Sequence, residues 1–99
     1  MQAFYEAAAQ HRYAAAWALA DPNMRDEVGG YAAFEDEMSP VRSITFHQAD
    51  PVERTSNSAT VAVRTTSVEA DRTEQCWGTV RTVQQAGAWL LDGISIDCV

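Results

Sequence analysis

Cys76-Trp77-Gly78-Thr79-Val80-Arg81-Thr82-Val83, then Gln84-Gln85-Ala86-Gly87, then Ala88-Trp89-Leu90-Leu91-Asp92-Gly93-Ile94-Ser95-Ile96-Asp97-Cys98 read together as a β-hairpin with a cysteine near each open end. With Ala86-Gly87-Ala88 as the loop, Gln85 faces Trp89, Val83 faces Leu91, Val80 faces Ile94, and Cys76 lies opposite Cys98. A type I turn with Gly87 as the left-handed bulge residue instead offsets the cysteines by one pair. In either register both cysteines point to one sheet face, because side chains alternate along a strand. They can close a cross-strand disulfide of ordinary geometry, or stay reduced and pack as small hydrophobes. Small domains of oxidising compartments favour the bridge, and a Cys76–Cys98 disulfide is the expectation taken forward.

Working back from the hairpin, residues 59 to 69 alternate Ala59, Val61, Val63 and Thr65 against Thr60, Ala62, Arg64 and Thr66. Residues 41 to 50 place Ile44 and Phe46 on one face and Ser43, Thr45 and His47 on the other. Thr55-Ser56-Asn57-Ser58 is turn chemistry between these two strands. Before Pro40 the pattern is helical. Residues 3 to 20 contain neither Gly nor Pro and consist largely of helix formers. On a helical wheel Phe4, Ala8, Ala15 and Leu19 share a stripe, and Tyr13, Trp17 and Ala20 form a second one. A face that wide fits a helix lying across a curved sheet, or one that bends near His11-Arg12. Asp21 is placed to cap the next helix with Pro22 at its first position, and Gly29-Gly30 ends it. A third helix over residues 31 to 38 buries Phe34 and Met38. Helices followed by a four-stranded meander make an α+β fold, with helices packed on one face of an antiparallel sheet.

The chain has 99 residues, the size of one domain spanning 1–99 with a single core. Its formal charge is −7, and all seven cationic side chains are arginines. That balance disfavours nonspecific nucleic-acid and anionic-membrane binding, which require a basic face. No apolar run is long enough to span a bilayer, and no secretory h-region opens the sequence; a signal or anchor is expected outside these residues. Cysteine and histidine spacing gives no zinc motif, and no phosphate-binding glycine loop or nucleophile elbow is present. Neither cofactor nor metal is expected.

Phe4-Tyr5 with Tyr13-Ala14-Ala15-Ala16-Trp17-Ala18-Leu19-Ala20-Asp21-Pro22 resembles the opening helix of the NTF2-like superfamily, and Gly30-Tyr31-Ala32-Ala33-Phe34 is similar to its next helix. Cys76-Trp77-Gly78-Thr79-Val80 and Ala86-Gly87-Ala88-Trp89-Leu90-Leu91-Asp92 resemble the last hairpin of small extracytoplasmic NTF2-like domains from actinobacteria. The resemblance implies a cone-shaped domain in which a curved sheet wraps around the helices and leaves a pocket at its open end. It also implies the possibility of a homodimer through the outer sheet face. The superfamily includes isomerases, hydratases, dehydratases and transport factors, so fold does not give function.

Enzymes of this kind use a carboxylate or a His-Asp pair as acid and base within the cone. Asp92 shares parity with Leu90 and Ile94 and is the best lone carboxylate; its alternative is a bulge position in solvent. His47 has the opposite parity to Ile44 and Phe46 and belongs to the outer face, while His11 lies at a stripe edge. Asp50 before Pro51 reads as turn chemistry. Arg12 sits near the middle of the first stripe, where a guanidinium can meet a ligand carboxylate or snorkel to the edge. The family often carries an acid there, so no role transfers. Tyr13, Trp17, Tyr31, Phe34 and Trp77 are candidate pocket aromatics. The expectation is a noncatalytic extracytoplasmic module that binds a small ligand or a protein partner. The alternative is a small isomerase or dehydratase acting on an apolar carbonyl compound, with Asp92 or His47 as base.

Overall fold

In the computed structural model, which describes residues 1–99, the first helix, α1 (Gln2–Ala9), stops abruptly at His11. His11 takes a left-handed φ of 60°. Its N–H bonds to the Ala8 carbonyl at 3.1 Å and that of Arg12 to the Ala7 carbonyl at 2.8 Å. These paired bonds are a Schellman stop, with histidine where glycine is usual. A separate short helix, α2 (Tyr13–Trp17), follows. The break resets the helical phase, so Ala15, expected beside Phe4, is exposed. Asp21 caps α3 (Pro22–Glu27) by accepting from the Met24 N–H at 2.9 Å. A second Schellman stop, with Gly29 at φ 88°, ends α3 and leads into α4 (Tyr31–Met38).

Four strands complete the chain: β1 (Val41–Arg54), β2 (Ser58–Glu69), β3 (Thr73–Gln85) and β4 (Ala88–Cys98). They pair antiparallel in chain order, β1-β2-β3-β4. β1 continues through Asp50-Pro51, with Asp50 opposite Ala62 rather than in a turn; proline is tolerated there because β1 is an edge strand. Register shifts in β1 let Val41, Ile44 and Phe46 all face the helices. Such bulges bend and twist the strand that carries them.

The β3–β4 turn is tighter than expected. Ala86 and Gly87 both lie in the left-handed region, at φ 50° and 80°, as in a two-residue hairpin turn. Gln85 therefore faces Ala88, and Val83 faces Leu90 instead of Leu91. A bulge at Asp92 then adds back one residue, restoring Val80 opposite Ile94 and Cys76 opposite Cys98. The cysteines are joined in a disulfide with a Cα–Cα distance of 4.2 Å.

Phe4, Ala8, Ala16, Met24 and Phe34 from the helical layer pack against Val63, Val80 and Leu91 from the sheet. Val80 and Leu91 are almost wholly removed from water, at 0% and 1% exposure. The helices are thereby concentrated over one part of the concave face. The rest of that face is left open.

Candidate functional site

At the end of the sheet where β1 and β3 begin and β2 and β4 finish, the concave face encloses a cavity of about 550 Å³. That size falls within the range of small-molecule sites, roughly 300–1,000 Å³. Its apolar wall is built from Ile44 and Phe46 of β1, Val63 of β2, and Ile94 and Ile96 of β4. Tyr5 of α1 closes the inner end, its ring meeting Phe46 edge-on at 5.7 Å between centroids. The Cys76–Cys98 bridge forms part of the wall, so the staple between β3 and β4 is also a piece of the site.

Polar groups enter this wall through strand alternation. Val63, Thr65, Ser67 and Glu69 occupy successive inward positions of β2, and Glu74 and Cys76 do so on β3. Thr65 and Ser67 are buried. Arg72, in the β2–β3 loop, lies 3.8 Å from Glu69 and 3.1 Å from Glu74. Burial, followed by the neighbouring Glu74, pushes the Glu69 carboxyl above its ordinary range even with Arg72 beside it. Asp36 and Glu37, in the last turn of α4, complete an acidic mouth.

Tyr5 has a special position. Its hydroxyl is buried and has no hydrogen-bond partner. Burial first, then the negative charges of Glu27 and Glu37, push its ionisation upward, so the phenol stays protonated. The Glu74 carboxylate and the two cysteine sulfurs lie within 4.8 Å of one another. With the sulfurs bonded together there is no thiolate to offer a metal.

The aromatic residues expected to line a pocket lie elsewhere, apart from the cavity's lining. Tyr13, Trp17 and Phe34 form a cluster within the helical layer, with Trp17 and Tyr13 meeting Phe34 at 5.5 and 6.2 Å. Tyr31 meets Trp17 edge-on at 5.4 Å. Their short helices turn these rings toward one another around buried Phe34, with Tyr31 left 39% exposed at the edge of the cluster. Trp77 is 45% exposed on the outer face, since its parity is opposite to that of Cys76. Arg12 is exposed in the α1–α2 turn, because the helix that would have placed it mid-stripe has ended.

Asp92, the best carboxylate by parity, occupies the β4 bulge and is turned away from the cavity. It pairs with Arg81 at 3.0 Å and accepts from Asn23 Nδ2 at 3.0 Å. Hydrogen bonds from Asp21 and Asn23, with Arg81, hold its carboxyl below the usual range. Asp21 is pushed the opposite way by burial and by Asp92. His47 is an exposed bulge residue donating to Thr66 Oγ1 at 2.7 Å, and Thr66 in turn donates to Gln75. His11 donates to the Val41 carbonyl at 2.9 Å. Neither histidine lines the cavity.

Of the residues singled out from sequence, the structure thus brings Cys76 and Cys98 to the cavity. Tyr5, Glu69 and Glu74 were missed. The available signal was the run of polar residues at inward parity, Thr65-Ser67-Glu69, where a filled core would be apolar.

No family model matches the sequence, and no curated protein matches it. Solved structures do. A designed NTF2-like protein superposes with a TM-score of 0.76 at 12% identity, covering 97% of this chain and 91% of its own. The solution structure of a SEC-C motif containing protein from Rhodopseudomonas palustris superposes at 0.70 and 12% identity, covering 92% of this chain and 70% of its own. At these identities the likeness is one of fold: short helices against an open four-stranded antiparallel sheet.

Proposed function

We propose that this chain is a noncatalytic NTF2-like domain that binds a small, largely apolar ligand in the open end of its sheet. The observation that carries this reading is the unfilled 550 Å³ cavity, apolar in its walls and polar at a few fixed points. Its strands are tied at the site by the disulfide, which supports a preformed pocket. The bridge also supports an extracytoplasmic location, as in the actinobacterial domains that the hairpin resembles. No helix is long and apolar enough to cross a membrane. In the alternative enzyme reading, Asp92 and His47 would have to act from outside this cavity, which disfavours both as its base.

The test uses the neutral dye N-phenyl-1-naphthylamine. Its fluorescence should rise on saturable binding to the wild-type domain, and Ile96→Trp, which fills the cavity from β4, should abolish that rise. A wild-type protein that leaves the dye unbound overturns the reading. We infer a second contact surface on the outer sheet face, where Trp77 lies between Arg64 and Asp97 on the neighbouring strands. Its exposed ring fits a homodimer, since exposed aromatics are enriched at interfaces.

A further inference from the structure

Resting on the cavity reading above, we infer that the Cys76–Cys98 disulfide is a redox control on ligand binding: closed, it holds the β4 wall of the cavity in place, and opened by a dithiol it lets that wall fray. β4 is supported unevenly along its length. At Leu91 its outer edge is bonded to the helical layer, the Asp21 N–H donating to the Leu91 carbonyl and the Leu91 N–H to the Leu19 carbonyl, both at 2.8 Å. Beyond Leu91 that edge receives no backbone hydrogen bond, and the strand is held from β3 alone. Ile94 and Ile96, which supply the β4 wall of the cavity, lie in this one-sided stretch.

Side-chain contacts between β3 and β4 thin out in the same direction. Ile94 stands opposite Val80, which is wholly buried in the core. Ile96 stands opposite Gly78, which has no side chain to meet it. The next pair on this face is the disulfide, so the bridge is the clamp on the strand's end. Strand ends with few buried contacts open at free energies well below that of global unfolding. A covalent tie between opposed residues prevents that opening for as long as it is intact. Cys98 is exposed and Cys76 buried, so a dithiol's thiolate reaches the Cys98 sulfur. Its attack forms a mixed disulfide at Cys98 and expels the Cys76 sulfur, which takes up a proton. The reductant's second thiol then displaces Cys98 as a thiol and leaves the reductant as its own disulfide. Two electrons and two protons thus pass from the dithiol to the protein. A ligand that prefers the closed wall must in turn oppose this reduction by the same factor, because linkage is reciprocal.

The experiment titrates N-phenyl-1-naphthylamine into the oxidised domain and into the domain held reduced by dithiothreitol, with far-UV circular dichroism recorded on both. The reduced form should keep its far-UV signal and bind the dye about fivefold more weakly, as when about one strand end in five is closed. On reduction, amide hydrogen exchange should quicken across Ile94–Cys98 while Val63 and Val80 stay protected. Cys76→Val/Cys98→Val, which keeps an apolar pair at these positions, should bind like the reduced form and be indifferent to dithiothreitol. Saturating dye should shift the equilibrium with dithiothreitol toward the protein disulfide by about the same fivefold. Equal dye affinity in the two redox states overturns the redox inference and leaves the cavity reading standing. Loss of the far-UV signal on reduction overturns it too, because the bridge would then hold the whole fold and not one wall. If the oxidised domain leaves the dye unbound, both readings fall.

Discussion

Asp21 does two jobs that pull against each other. Its Oδ1 caps α3, yet the carboxyl is buried, at 1% exposure, beside Asp92. Burial and the Asp92 charge raise its pKa from the ordinary 3.8. The raised value fixes the sign of the pH effect. Below about 4 both folded and unfolded chains hold the proton, and nothing is lost. As pH rises, the unfolded chain ionises first, and the fold loses relative stability through the raised pKa. Asparagine keeps the capping oxygen, and its amide can donate to Asp92 without a proton having to be held. Asp21→Asn should therefore be more stable than the parent at neutral pH, with the gap closing below pH 4. Urea denaturation across that range checks it. Asp21→Ala loses the cap and should cost about 1 kcal/mol. The cap itself was legible, because Asp-Pro before a helical run has few other uses. The conflict with Asp92 was not. It arises only when a bulge on a strand seventy residues away turns that side chain toward α3.

The β3–β4 hairpin gives the same lesson at the scale of an element. Parity placed the cysteines opposite each other, and they are opposite, but through two compensating features that parity alone does not reveal. The loop is one residue shorter than expected, and Asp92 is one residue extra. Alternation reports which face a residue occupies only within an unbroken ladder. Asp92 and Leu91 were therefore misassigned across the bulge, whereas Val80 and Ile94 beyond it were not. Helix ends divided in a similar way: Gly29-Gly30 announced its Schellman stop, but His11 adopts the same left-handed geometry with a side chain that gives no such signal. Because the cysteine separation is 22 residues, the bridge should contribute about 3 kcal/mol by the chain-entropy account. Cys98→Ser should lower stability by about 2–4 kcal/mol and remove the difference between oxidised and reduced melting curves. Superimposable curves for parent and variant would show that the bridge contributes little.

For the molecule as a whole, the architecture was legible because periodicity changes sharply at Pro40, from helical spacing to alternation. The site was less so. A pocket is the space that side chains do not fill, and aromatic residues in the helices read the same whether they face one another or a ligand. Helices of eight residues or fewer cover only part of the sheet, and that incomplete cover leaves the cavity. The homodimer proposed through the outer face predicts a concentration-dependent dimer in sedimentation velocity. Trp77→Glu should leave only monomer, and a parent that remains monomeric at high concentration would remove that surface as an interface.

The chain-order sheet also bears on how the protein is made. Helices this short are marginal in water by themselves, and all four of them precede the strands in chain order. They have nothing to pack against until the strands follow. Each strand, by contrast, finds its partner in the segment synthesised immediately before or after it. Cys98 is the last residue of β4, the last strand in chain order, so the staple closes after nearly all of the sheet has been synthesised. Until then, the face around Val63, Val80 and Leu91 is an uncovered apolar surface, and the helical segment waiting nearby is its natural shield.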